Sequence, residues 1–327
     1  MLSRHAESLF WTGRQMERAG DTARMLDVTY HALLESPHAE ARRAWLDLLD
    51  VLALEQAFRE RHDHVSARTV SRFLVLDQSS PGAIVPTVGR ARENARSVRE
   101  LLSTELWEAI NTFWLELQRR DLERDLDHQP YALYRLVKRR CQEVSGTAAD
   151  TISHDDGWRF ITLGGMLERA QLVCRLLDVR FARYTSGEDE LDFYKAVEIL
   201  KSAAALEAFR KTYPGAMTVA NVVSFLLLSP TFPRSVYWSV RSAEQRLQQL
   251  QIGAVPGRAW RVLGRLRADL EFTDVSELLI GDLHGFLRRV QVDLRGVGDL
   301  VAVQFFRNTE ELSVLHSVGE HAGGITS

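Results

Sequence analysis

Gly13-Arg14-Gln15-Met16-Glu17-Arg18-Ala19, running on to Arg24-Met25-Leu26-Asp27-Val28, returns as Gly164-Gly165-Met166-Leu167-Glu168-Arg169-Ala170 with Arg175-Leu176-Leu177-Asp178-Val179. Glu168 follows Glu17 by 151 positions (168 less 17), and the same offset carries Gly13, Arg18, Arg24 and Asp27 onto Gly164, Arg169, Arg175 and Asp178. Further out, Ala57-Phe58-Arg59 answers Ala208-Phe209-Arg210, Phe73-Leu74 answers Phe225-Leu226 one residue later, and Pro81, Val88 and Ala91 answer Pro233, Val240 and Ala243. Leu133, Lys138, Arg139 and Gly146 find Leu283, Arg288, Arg289 and Gly296. A repeat of this length predicts a repeated structural block, each copy covering an apolar face that the other leaves open. The expected architecture is an all-α, pseudo-twofold internal duplication of a multi-helix unit. The copies, 1–153 and 154–327, are expected to pack as one helical bundle.

The pattern between the eight prolines is helical nearly throughout. Trp45, Leu48, Leu49, Leu52 and Ala53 form one apolar stripe, and Leu283, Phe286, Leu287, Val290 and Leu294 another. Turn formers cluster at Ser36-Pro37, Asp77 to Pro81, Asp127 to Pro130, Ser186-Gly187 and Ser229 to Pro233, and residues 322–327 read as a frayed tail. The stretch from Gly146 to Trp158 has no Pro/Ser-rich run, which predicts that continuous or nearly continuous helix joins the halves.

With 327 residues, 45% hydrophobic and 26% charged, the chain has ordinary globular usage. A net charge of -3 gives no reason to expect nucleic acid, and Lys138-Arg139-Arg140 reads as a solvated helix face. Its longest apolar runs, such as Phe225 to Leu228, are too short for a bilayer, so no membrane partner is expected. Cys141 and Cys174 have neither zinc nor redox spacing, which points to a reducing, cytoplasmic setting, with Cys174 a buried thiol. His62-Asp63-His64 lacks a third anchored ligand and reads as a solvated loop, so no metal is expected. No phosphate loop, dinucleotide fingerprint, nucleophile elbow or HExxH is present.

Chemistry therefore rests on the repeated helix. Gly13, Glu17, Asp21, Arg24 and Val28 share one helical line, as do Gly164, Glu168, Arg175 and Val179. A helix-interior glycine costs about 1 kcal/mol against alanine, so its recurrence predicts a close approach to the backbone by the partner repeat or a ligand. Arg18 and Arg169 lie about 100° around from the preceding Glu, which places them off the inward line and in need of separate partners. Glu17 and Glu168 are the candidate catalytic groups; Arg14, Arg18, Arg24, Arg169, Arg175 and Asp21 are the candidate ligand-binding groups. Guanidinium forks suit carboxylate and phosphate. Equally, the same residues could form a buried ion network that fixes the halves together, with Glu17 meeting Arg24 or an arginine of a neighbouring helix.

Leu2-Ser3-Arg4-His5-Ala6-Glu7-Ser8-Leu9-Phe10-Trp11-Thr12-Gly13-Arg14, with Glu17-Arg18-Ala19 and Ala23-Arg24-Met25-Leu26, resembles the opening signature of the bacterial alpha-E domain family. Ser80-Pro81 ahead of Ala91 to Arg96, and Asp156-Gly157-Trp158 ahead of Gly164 and Glu168-Arg169-Ala170, are similar to further blocks, so the likeness covers essentially the whole chain. Glu17-Arg18 and Glu168-Arg169 match the Glu-Arg motif. Two departures stand out: Gly20-Asp21 where an acidic-Asn pair is common, and Gly165 where the first copy has Arg14.

The resemblance implies an all-helical partner of a circularly permuted ATP-grasp ligase, working in ATP-dependent peptide or amide-bond synthesis or modification. A peptide or amino-acid substrate is implied, with no cofactor in this chain and ATP and Mg at the partner ligase. Two alternatives stand beside it. In one the chain performs acyl or amide transfer in its own cleft with Glu17 or Glu168 as base, although arginines beside a carboxylate lower its pKa and make it a poorer base. In the other it is a structural scaffold. The sharpest expectation is a single charged cleft where the two motif helices meet.

Overall fold

The computed structural model describes residues 1–34, 38–181, 193–215, 217–250 and 257–306. The turn signals at Ser36-Pro37 and Ser186-Gly187 and the tail at 322–327 lie outside those residues. Among the described residues the fold is all-α, with no strand. The first half comprises α1 (Ser3–Leu33), α2 (His38–Val51), α3 (Glu55–Arg59), α4 (Ala67–Val75), α5 (Ile84–Ser97), α6 (Thr104–Arg119), α7 (Leu122–His128) and α8 (Pro130–Thr151). Then come α9 (Asp156–Phe181), α10 (Phe193–Ser202), α11 (Leu206–Thr212), α12 (Val219–Leu228), α13 (Val236–Gln249), α14 (Arg258–Glu271), α15 (Val275–Ile280) and α16 (Leu283–Val301). A π-helical turn, Ala302–Phe306, follows.

The two long motif helices form the centre. α1 packs on α9, α5 and α8, while α9 packs on α1, α13 and α16. Most surface helices bury one stripe, but α1 buries residues around its whole circumference, polar ones included: Thr12, Arg14, Gln15 and Asp21 sit beside Phe10, Met16 and Leu26. At the end of the bundle, Phe306 packs on Phe10 (5.4 Å between centroids) and Phe305 on Phe160 (5.3 Å). These aromatic contacts tie the last described turn to the start of both central helices.

Local chemistry sets the helix boundaries. Ser66, Ser103, Thr218 and Ser235 each accept a backbone N–H two or three residues into the helix that follows, satisfying donors the first turn leaves bare. Pro130 begins α8, where a missing N–H costs nothing. The predicted stripe on α2 ends early: Trp45, Leu48 and Leu49 are buried, but the helix stops at Val51 and Leu52-Ala53 lie beyond it. Ala53 has φ 57, its N–H donates to Asp50 O (2.8 Å), and Leu54 N–H donates to Leu49 O (2.8 Å). That is a Schellman termination with alanine where glycine is usual. Ala204, 151 positions on, repeats it with φ 52 and bonds from Ala204 to Lys201 O (2.9 Å) and from Ala205 to Leu200 O (2.7 Å). The stripe on α16 is as expected, with Leu283, Leu287, Val290 and Leu294 buried. Only residues 152–155 separate α8 from α9, so the halves are joined by nearly continuous helix.

Candidate functional site

α1 and α9 touch backbone to backbone. A Cβ on Gly13 would lie 1.9 Å from the Ile161 carbonyl oxygen, and one on Gly164 would lie 2.1 Å from the Phe10 carbonyl oxygen. Ile161 follows Phe10 by the same 151 positions, so the contact is reciprocal. The recurring glycine thus answers to the opposing helix, the first of the two occupants its pattern allowed.

At such a short separation, side chains flanking the contact line reach across it. Arg18 Nε and Nη2 donate to Oε1 and Oε2 of Glu168 at 2.7 and 2.9 Å, and Arg169 Nε and Nη2 donate to Oε1 and Oε2 of Glu17 at 2.8 Å each. Arg18 and Arg169 therefore do not point away from the inward carboxylates. Each grips the Glu of the other helix in a two-pronged fork, because the glycine contact brings that Glu nearer than any group in its own turn.

Each Glu takes a second guanidinium, from different places. Glu168 receives Arg14 Nε at 2.9 Å, while Arg14 Nη2 also donates to Gln171 Oε1 at 2.8 Å. Glu17 cannot have that partner, since the residue 151 positions after Arg14 is Gly165. Its second guanidinium is Arg234, whose Nη1 lies 2.9 Å from Glu17 Oε1 and whose Nη2 pairs with Asp21. Sequence reasoning missed Arg234. The signal was present: it directly follows Pro233, the residue that answers Pro81.

Arg24 lies 3.8 Å from Asp21 and Arg175 donates Nε to the Val51 carbonyl at 2.7 Å, in the turn that ends α2. No carboxylate lies within ion-pair distance of Arg175 among the described residues. In all, Arg14, Arg18, Arg24, Arg169, Arg175 and Arg234 gather around Glu17, Asp21 and Glu168, twice as many cations as anions.

Burial alone would raise both glutamates, but the adjoining guanidiniums win. Arg18 and Arg14 hold Glu168 down at about 2, and Arg169 and Arg234 lower Glu17 likewise. Asp21 moves the other way, pushed up by burial and by the neighbouring Glu17 charge against the pull of Arg234. Burial also draws Arg24 and Arg175 below the ordinary guanidinium value, Arg234 and Arg18 being their like-charged neighbours. Both stay charged at neutral pH.

A cavity of about 200 Å³ opens on one side of the crossing, with Arg18, Asp21, Glu168, Gln171 and Arg175 on its wall and Leu54 and Gly82 among its other lining residues. A larger, open concavity on α3 is lined by Glu55, Gln56, Arg59 and Glu60. It lies at the surface, and Arg59 is already paired with Glu55 at 2.6 Å, so it offers no free charge.

The other candidates are placed simply. His62 stacks on Phe58 (4.7 Å), and no three His, Cys, Asp or Glu side chains cluster as a metal site among the described residues. Cys141 and Cys174 are buried, and burial pushes both thiols up. Lys138 and Arg140 are not freely solvated, since they pair with Asp27 and with Glu116 (2.7 Å). No described helix is long and apolar enough to cross a membrane.

An all-α bundle whose two central helices exchange Glu-Arg pairs defines a helical domain organised by that motif. The chain matches the Alpha-E family, described as a predicted alpha-helical domain with a conserved ER motif, over residues 1–306, and it belongs to that family. Uncharacterized proteins of Mycobacterium tuberculosis and Mycobacterium bovis are each 23% identical to it over 326 residues, covering 90% of this chain and 36% of their own length. The chain thus spans about a third of the length of the curated relatives it matches. No solved structure matches it.

Proposed function

We propose that this chain is the helical partner subunit of an ATP-grasp-type ligase in ATP-dependent peptide or amide-bond synthesis or modification, and that the α1/α9 crossing binds an anionic or peptide ligand. The partnership rests on what the family resemblance implies. The ligand reading rests on one observation, the excess of guanidinium over carboxylate in the cluster that borders the cavity. A network evolved only to lock two halves together gains most from matched charges, because each unpaired buried charge is costly. Here Arg175 borders a cavity with no carboxylate within ion-pair distance, and the two carboxylates on the same wall, Glu168 and Asp21, are already paired with Arg14 and Arg18 and with Arg234.

The same geometry weighs against acyl transfer by the chain itself. A general base works best with a pKa near the working pH, whereas Glu17 and Glu168 are each clamped by two guanidiniums and held low. We further read 1–153 and 154–327 as two copies of one helical unit. The reciprocal glycine contacts and the matching alanine terminations at 53 and 204 support that reading.

The test is reconstitution with an ATP-grasp-type ligase encoded beside this chain, following ATP-dependent amide formation. Product is expected only with both proteins, and Glu168→Gln should lower it by more than its loss of folded protein explains. A ligase equally active alone and unable to bind this chain refutes the partnership. Turnover by the isolated chain would favour the transferase reading instead.

A further inference from the structure

We propose that the crossing carries one oxyanion site rather than two: the carboxylate or phosphate of a small ligand sits in the cavity beside Gly82, between Arg18 and Arg175, and the corresponding place in the other half is closed by the protein's own Arg234. This rests on reading the crossing as a ligand site, and adds which half binds, how many ligands, and of what chemistry.

Superimposing the halves by residue offset exposes the difference. Glu17, Arg18 and Arg24 correspond to Glu168, Arg169 and Arg175, so the core of each cluster is shared. Besides Arg14 answering Gly165 and Gly20 answering Gln171, two correspondences break the likeness at the cavity: Asp21 answers Leu172, and Arg234 answers Gly82. Where the Glu17 cluster has Arg234 paired with Asp21 and Glu17, the Glu168 cluster has Gly82 and Leu172, and these two line the cavity. The missing Arg234 is made good for Glu168 by Arg14, which approaches along α1 and leaves the space over Gly82 empty.

Donors in that space are uncommitted. Arg169 gives its Nη1 to the Pro233 carbonyl at 3.0 Å. Arg18 makes no such bond, because the corresponding Pro81 carbonyl accepts from Arg90 at 2.8 Å. The described side chains offer Arg18 Nη1 no partner, and they offer Arg175 none beyond the Val51 carbonyl at its Nε. Glu168, by contrast, has both oxygens engaged by Arg14 and Arg18, so it does not compete for a ligand's cation. The remaining guanidinium N–H groups of Arg18 and Arg175 suit a planar or tetrahedral oxyanion, and the other carboxylate on the cavity wall, Asp21, is paired with Arg234. At about 200 Å³ the cavity is below the size of drug-like pockets, which limits the ligand to a small molecule or the anionic end of a larger one.

The test is calorimetric titration of the full chain with inorganic phosphate and, separately, with L-glutamate. Saturable binding of either probe at one equivalent is expected; phosphate alone identifies a phosphate-bearing ligand, glutamate alone a carboxylate. The double variant Gly82→Arg/Leu172→Asp rebuilds the closed half in the open one and should weaken binding at least about tenfold, and Arg175→Lys should also weaken it by losing the fork. Thermal unfolding of each variant with and without probe separates lost binding from lost folding, since a ligand of the native state raises the midpoint. Two equivalents, no saturation by either probe below about 10 mM, or wild-type affinity in folded variants overturns the inference. An active ligase complex with no probe binding would sink this inference alone; probe binding without any ligase dependence would sink only the partnership.

Discussion

Replacing Gly13 by alanine should unfold the protein more easily, although alanine is the better helix former. The local gain is about 1 kcal/mol, since glycine within a helix is that much less favourable. Against it, the new methyl would lie 1.9 Å from the Ile161 carbonyl oxygen, where ordinary contact begins near 3.4 Å. The helices must part by about 1.5 Å, the difference of the two, and the obstacle is backbone that no rotamer change can move aside. Overpacking of this kind costs about 1–3 kcal/mol and occasionally more. The same shift draws Arg14 and Arg169, now 2.8 Å from Glu168 and Glu17, beyond hydrogen-bond reach, and a broken buried pair costs about 3–5 kcal/mol. The net expectation is a loss of about 3 kcal/mol or more, out of a total stability of about 5–15. Gly165 provides the control one residue from the other contact: its Cβ would meet only Gly13 O, at 3.8 Å. Gly165→Ala should therefore be neutral or stabilise by up to about 1 kcal/mol. Urea unfolding followed by far-UV circular dichroism measures both. If Gly13→Ala is as stable as wild type, the backbone contact does not organise the crossing and the reading of both clusters fails with it.

Glu168→Gln should cost about 3–5 kcal/mol, because Arg14 and Arg18 lose their counter-charge while still buried; an unchanged chemical-denaturation midpoint would contradict this. Acid should erase that difference. Glu168 lies at about 2 in the folded protein against 4.5 for the free group, so its contribution, about 3 kcal/mol, is complete above pH 4.5 and is lost as pH falls toward 2. The gap between wild type and Glu168→Gln should therefore narrow below pH 4.5, and a gap constant down to pH 2.5 would refute the assignment. At the periphery, Arg246 lies 4.3 Å over Trp158, whose ring stacks on His154 at 3.8 Å, so Arg246→Ala should lower stability by about 1 kcal/mol in a thermal melt.

What the sequence disclosed and what it hid divide along physical lines. Helix class follows from periodicity, and the glycine contact follows from the cost of glycine within a helix, so both were legible in residues 13 and 164. The destination of Arg18 and Arg169 was not. A helical wheel treats each helix as isolated and places those residues off the inward line, whereas at a crossing this close a long flexible side chain on the flank reaches the partner more easily than its own turn. α2 also ended sooner than its apolar stripe suggested, because Ala53 takes a left-handed backbone that alanine disfavours and propensity alone would not place there. Arg234 was hidden for another reason: it lies in the turn before α13, more than 200 positions from Glu17, and only folding brings them together.

The exchange of Arg14 for Gly165 and that of Gly82 for Arg234 explain each other once the contacts are placed. Losing an arginine at 165 would leave Glu17 with Arg169 alone, and Arg234 supplies the second guanidinium from a turn whose counterpart carries Gly82. Keeping Arg14 frees the first half from any need for an arginine at 82. Each Glu therefore keeps two guanidiniums, while the side chain that provides the second differs, and the cavity lies on the side that has Gly82 and Leu172. If the crossing binds a ligand, an opening on one side only holds that ligand in one orientation. Exchanging the two solutions gives the discriminating experiment. In Arg234→Gly/Asp21→Leu/Gly165→Arg, Glu17 should regain its second guanidinium along α9, a second cavity should open beside it, and probe stoichiometry should rise from one to two. A variant that folds like wild type yet still binds one equivalent would show that Arg234 is not what closes that side.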